Sequence, residues 1–157
     1  MLFKTVPIAD TVIRAEHVPS ECSGWPRQVV VLGWEERLKA RGRRRSSEGV
    51  EFATALPRGT VLREGDLLIL ESSQLIVEVR ALEERVLVAR PATTEEWALW
   101  SYHIGNSHQP LMIAADAIVC ADLPGMEQVL MYHAIPFTRE QRAFTPVSQA
   151  PGHHDER

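Results

Sequence analysis

The run Arg85-Val86-Leu87-Val88-Ala89-Arg90-Pro91-Ala92-Thr93-Thr94-Glu95-Glu96 decides how the second half of this chain folds. Its first six residues are rich in apolar and branched side chains and read as a strand. The proline and the two threonines then start a helix. Thr93 with Glu96 fits a capping box, and Glu95 and Glu96 sit favourably in a first helical turn. Trp97, Trp100 and Ile104 recur at helical spacing, a stripe for a core or an interface. Gly105-Asn106 closes the pattern as a helix-terminal glycine does. Strands follow over 110–113 and 117–120. Asp122-Leu123-Pro124-Gly125 leads into a short helix over 126–133, with Met126, Val129 and Leu130 on one face. Ile135-Pro136-Phe137 restarts extended chain. The order β-α-β-β-α-β is that of a ferredoxin-like fold.

Toward the N-terminus the character changes. Short strands rich in Val, Ile and Leu are predicted over 11–15, 28–32, 50–53, 60–62, 67–70 and 75–80. Turn punctuation separates them at Pro57-Arg58-Gly59, Glu64-Gly65-Asp66 and Ser72-Ser73. Apart from a short helix over 34–39 nothing helical interrupts them, which argues a small all-β module. The fold class is therefore α+β, with a β domain over 1–81, a ferredoxin-like domain over 82–147 and a flexible tail over 148–157, where Pro, Gly, His and charge dominate.

The chain has 157 residues, 45% of them hydrophobic, enough for a core in each half. Its longest apolar runs, Val29-Val30-Val31-Leu32 and Leu67-Leu68-Ile69-Leu70, fall far short of the ~20 residues of a membrane span. Met1-Leu2-Phe3-Lys4 begins no signal-peptide pattern, so a cytoplasmic location is expected. Cys22 and Cys120 lie far apart and match neither a zinc motif nor, in a reducing compartment, a disulfide. Charge is segregated. Arg37, Lys39, Arg41, Arg43, Arg44 and Arg45 cluster without an acid among them, and removing those six positive charges from the net −4 leaves −10 on the rest of the chain. A basic cluster on an acidic body fits docking of an acidic partner through Arg41, Arg43, Arg44 and Arg45, read here as a loop. Aromatics are not interleaved with it, which weighs against RNA.

Six histidines occur: His17, His103, His108, His133, His153 and His154. His108 lies in the polar stretch Gly105-Asn106-Ser107-His108-Gln109-Pro110 and should be exposed. A neutral imidazole is a common ligand for nickel, copper or zinc, although a loop histidine without a role is the commoner case. His103, five residues earlier, would stand about 140° away on a continuous helix and could not chelate with it. It fits a partly buried histidine beside the Trp97–Trp100 stripe. His153-His154 precedes Asp155-Glu156 and could add ligands to a bound metal from mobile chain. No phosphate-binding glycine loop and no Gly-x-Ser-x-Gly elbow is present. An enzyme would have to rest on Cys22 and some histidine, as in a cysteine hydrolase.

Taken in order, several stretches resemble the UreE family of urease accessory proteins. They are Leu32-Gly33-Trp34-Glu35-Glu36-Arg37 leading to Arg41-Gly42-Arg43-Arg44-Arg45, then Gly49-Val50-Glu51-Phe52 and Leu56-Pro57-Arg58-Gly59-Thr60-Val61-Leu62. The most specific is Tyr102-His103-Ile104-Gly105-Asn106-Ser107-His108-Gln109-Pro110, and Ala134-Ile135-Pro136-Phe137 is similar to a later family element with one residue inserted.

The resemblance implies a nickel metallochaperone with no enzymatic activity. It implies an N-terminal β domain similar to a chaperone peptide-binding domain, a homodimer formed through the C-terminal domain, and His108 from two copies sharing one Ni2+ on the axis. His153 and His154 would be auxiliary ligands. Zn2+ or Cu2+ would substitute in vitro. Partners would be the urease apoprotein and urease accessory proteins, including the GTP-hydrolysing one, with no membrane, and nucleic acid is not expected. Where some relatives carry a second histidine pair, this sequence has Ile118-Val119-Cys120-Ala121-Asp122, and its tail holds only two histidines, so storage of many ions is not expected. The alternative is a module that binds no metal and holds an acidic segment or RNA with its basic stretch.

Overall fold

The computed structural model describes residues 5–147, and the chain divides into two compact units at Leu82 and Glu83. The first unit contains β1 (Ile8–Ala9), β2 (Val12–Ile13), β3 (Arg27–Leu32), α1 (Trp34–Arg37), β4 (Arg41–Arg45), β5 (Glu51–Ala55), β6 (Leu67–Leu70) and β7 (Leu75–Ala81). They form two sheets, in the orders β1-β5-β4 and β2-β6-β7-β3. Alternation along the strands aims Ala9, Phe52, Val30, Leu32, Leu68, Leu70, Val77 and Val79 into one core shared by both sheets. A smaller cluster of Cys22, Leu67, Ile69 and Ile76, with Trp25 against it, covers the other face of β6 and β7. Asp66 is buried in the turn before β6, where its carboxylate accepts from the Arg63 amide and pairs with Arg14.

Two expectations fail in this unit. Residues 60–62 form no strand: Leu62 is buried, but its amide donates to the Arg37 carbonyl at 2.9 Å rather than to a ladder. The basic stretch is a strand, not a loop. Arg44 is the reason, because its side chain points inward and finds acceptors there, so a run of cations can hold β alternation.

The second unit contains β8 (Glu83–Ala89), α2 (Thr94–Asn106), β9 (Leu111–Ile113), β10 (Ile118–Ala121), α3 (Met126–Tyr132) and β11 (Thr138–Ala143). The sheet order is β11-β8-β10-β9, antiparallel throughout, which is the ferredoxin-like arrangement expected from the element order. Leu87, Ala89, Ile118 and Cys120 on the sheet meet Ile104 of α2 and Met126 and Leu130 of α3. Trp97 and Trp100 pack against the same core, so the tryptophan stripe is structural. The α2 start is built as its sequence dictates. The Thr93 side chain accepts from the Glu96 amide at 3.1 Å, and the Glu96 carboxylate reaches back to the Ala92 amide at 2.6 Å.

Candidate functional site

His108 stands where α2 ends. Ser107 is the helical C-cap, and its hydroxyl donates to the Ile104 carbonyl at 2.6 Å. His108 follows in the left-handed conformation, φ 55°, with its amide donating to the Gly105 carbonyl at 3.1 Å. This corrects the sequence reading of the helix end. Gly105 lies within α2, and the left-handed position that usually takes glycine is taken by His108. Histidine, like asparagine and aspartate, takes this geometry more readily than most residues, and Gln74 and Ala134 adopt it elsewhere in the chain. The side chain is exposed.

The surroundings of His108 come from both ends of the unit. Gln109 lies against α3: a Cβ placed on Gly125, itself at φ 89°, would meet Gln109 Nε2 at 3.7 Å. The strand that follows, β9, is the edge of the sheet, and Leu111 is three residues beyond His108. The Leu111 carbonyl accepts from the Val147 amide at 2.7 Å. The end of the described chain is therefore anchored beside the strand that leaves His108. His153 and His154 lie outside the described residues.

The other described histidines of this unit, His103 and His133, do not join His108. His103 stacks on His133, centroids 3.9 Å apart and planes 16° from parallel, with Tyr102 and Tyr132 at the edges of the two rings. Ring-nitrogen lone pairs lie in the ring plane, so two parallel stacked imidazoles cannot aim at one ion. His103 and His133 join α2 to α3 instead. Nothing in the sequence flagged this pair, because the contact spans thirty residues between two helices. Among the described residues no three His, Cys, Asp or Glu side chains surround a common metal position. Cys120 is buried, and burial pushes its thiol up to about 12. The Cys22 thiol is also raised, by burial first and then by Glu21 and Glu71, which is the opposite of what a cysteine nucleophile needs.

On β4 the four arginines split. Arg44 is buried. Its guanidinium donates to Glu36 Oε2 at 2.7 Å and to the carbonyls of Glu36, Lys39 and Arg43 at 3.0, 3.2 and 3.3 Å. It ties β4 to α1 and is withdrawn from the docking surface expected of it. Arg41, Arg43 and Arg45 alternate with it, are exposed, and make no ion pair among the described residues.

The family model for the UreE urease accessory protein N-terminal domain matches residues 11–82, and that for the UreE C-terminal domain matches residues 84–157. The chain belongs to the UreE family. This is a family of urease accessory proteins and not of enzymes. Relatives named urease accessory protein UreE occur in Ralstonia nicotianae, 38% identical over 78% of this chain and 58% of the relative. Another, in Cupriavidus pinatubonensis, is 38% identical over 91% of this chain and 64% of the relative. A third, in Burkholderia thailandensis, is 32% identical over 79% and 58%. This UreE chain thus spans about three fifths of the length of the curated relatives it matches. Both UreE domain models fall on the two units seen in the fold, the β-rich one first. No helix among the described residues is long and apolar enough to cross a membrane.

Proposed function

We propose that this chain binds nickel as cargo through His108 and hands it on for assembly of the urease active site. The observation that carries the reading is the placement of His108: exposed, held at a left-handed helix terminus, and close along the chain to the anchoring point of the C-terminal tail. Family membership supplies the urease context.

One imidazole per chain binds nickel weakly. A two-fold axis through this terminus places a second His108 beside the first with no further sequence required. Two imidazoles leave most of the coordination sphere open. Such a site captures a metal and still releases it, whereas a closed four-ligand site retains its ion. The tail completes the sphere when needed. From Val147 to His153 is six residues, at most ~21 Å of chain, and Leu111 to His108 is three residues, at most ~11 Å. His153 and His154 are thus within tether range of His108. Copper, and often zinc, compete for such ligands in vitro. Delivery takes place in the cytoplasm to the urease apoprotein with other accessory proteins, the GTP-hydrolysing one among them. Arg41, Arg43 and Arg45 provide a docking surface for an acidic partner.

Nickel titration calorimetry with the mass in solution measured alongside tests the reading. One tight nickel per dimer, lost in His108→Ala, is the expected result. One independent site per monomer, unaffected by that substitution, would overturn it.

A further inference from the structure

Hydrogen-bond phasing on β4 adds something that its charge alone does not show. The Ala40 carbonyl accepts from the Leu56 amide at 2.9 Å, and the Ser46 amide donates to the Val50 carbonyl at 2.9 Å. With Arg41 opposite Ala55 and Arg45 opposite Glu51, the even-numbered residues of β4 are therefore the ones bonded to β5. The amides and carbonyls of Arg41, Arg43 and Arg45 point the other way. Among the described residues no strand pairs with that side of β4, which is the edge of its sheet. The three residues whose backbone faces this edge are thus the three whose guanidinium groups are exposed and make no ion pair among the described residues. The remaining cations of the cluster are already engaged: Arg44 on Glu36, Lys39 on Glu36 at 2.5 Å, and Arg37 buried, with Nη1 on the Leu62 carbonyl at 3.3 Å.

We infer that β4 takes an extended acidic segment of a partner protein as an added strand, with its carboxylates at alternate positions meeting Arg41, Arg43 and Arg45. This rests on the docking role proposed above and specifies its form. Strand addition satisfies edge-facing amides and carbonyls that pair with no strand, the Arg43 carbonyl alone among them already accepting from the Arg44 guanidinium at 3.3 Å, and side chains on alternate residues supply selectivity. The arginine row also sets what is refused. A second β4 would bring three like charges against three, so the edge is protected from pairing with a copy of itself and open to a strand of opposite sign.

The test uses the full chain and a synthetic peptide in which Glu alternates with Thr and Val, with backbone amide exchange followed by NMR. The expected result is binding that slows exchange at the amides of Arg41, Arg43 and Arg45. Those of Gly42 and Arg44, already in the ladder, stay as they were. Arg43→Glu should weaken binding on the order of tenfold or more. N-methylation of two edge-facing peptide amides should weaken it roughly tenfold with the charge unchanged. Binding without the added protection, and insensitive to N-methylation, would overturn strand addition and leave a purely electrostatic docking patch. No binding of the acidic peptide, or preference for single-stranded RNA over it, would overturn strand addition and the docking role together.

Discussion

Arg44 Nη1 donates to Glu36 Oε2 across 2.7 Å, and the guanidinium that makes this bond fills the space beside Gly42. A Cβ on residue 42 would lie 2.8 Å from Arg44 Nη1. That atom ends a flexible side chain, but one held by a carboxylate and three carbonyls. Gly42→Ala is therefore expected to destabilise the chain by about 1 kcal/mol, overpacking outweighing the backbone entropy gained. In an Arg44→Met background the same change should be neutral or slightly stabilising. Urea unfolding of the four variants gives the coupling directly, and additive effects would show that the guanidinium does not fill this space.

The cluster also shows what the sequence could and could not disclose. The βαββαβ order was legible because Trp97, Trp100 and Ile104 keep helical phase and Thr93 with Glu96 marks the start. Residues 41–45 were not legible as a strand, since four arginines and a glycine carry no hydrophobic alternation. Their alternation lies in partners: Arg44 inward onto Glu36, Arg41, Arg43 and Arg45 outward. At the proposed metal site, the Gly105-Asn106-Ser107-His108 stretch pointed to His108 but not to its left-handed backbone, since the sequence reading gave the helix end to Gly105. The His103–His133 stack had no local signal at all.

Acid should loosen the second unit through two carboxylates. Asp116 is held below its ordinary range chiefly by hydrogen bonds from Arg142, and Glu140 chiefly by one from Arg90. Where the folded pKa is depressed, the unfolded chain binds more protons. The stability these groups contribute is present above the ordinary carboxylate values, about 4, and is lost as pH falls through the lower folded ones. Urea midpoints should therefore fall below about pH 4. The fall should be shallower in Arg142→Gln. Parallel curves for the two proteins would show that the pair is not linked to folding.

Neither thiol should react in the folded protein. Cys120 is fully buried and its pKa pushed up to about 12, while Cys22 is raised by burial and by two neighbouring glutamates. Iodoacetamide at pH 8 should leave both unmodified and label both in urea, as read by mass spectrometry. Rapid native labelling of Cys22 would reopen a role for it as a nucleophile.

The left-handed backbone of His108 allows a clean separation of folding from metal binding. Glycine adopts φ 55° without a Cβ penalty, so His108→Gly should fold with stability equal to the parent or slightly above it. His108→Val should lose roughly 1–2 kcal/mol, because a branched side chain is strained there. Both should lose tight nickel binding. Calorimetry and urea unfolding on the pair then distinguish a missing ligand from a damaged helix end. Retained tight binding in the stable glycine variant would remove His108 from the site.

The proposed auxiliary ligands His153 and His154 allow a separate expectation, set by the contact made at Val147. Val147 bonds to Leu111, so a tail ligand and His108 are tethered through a short stretch of chain rather than free in solution. Tethering raises the local concentration of the tail imidazoles without forming the site by itself. His153→Ala with His154→Ala should therefore weaken nickel binding at least about tenfold while leaving one ion per dimer. His108→Gly should instead abolish the shared site. Lengthening the chain after Val147 with a run of Gly and Ser should lower affinity only gradually, since effective concentration falls slowly with tether length. If the double substitution changed the stoichiometry, the tail would hold an ion of its own. If it changed nothing, His108 would bind without help from the tail.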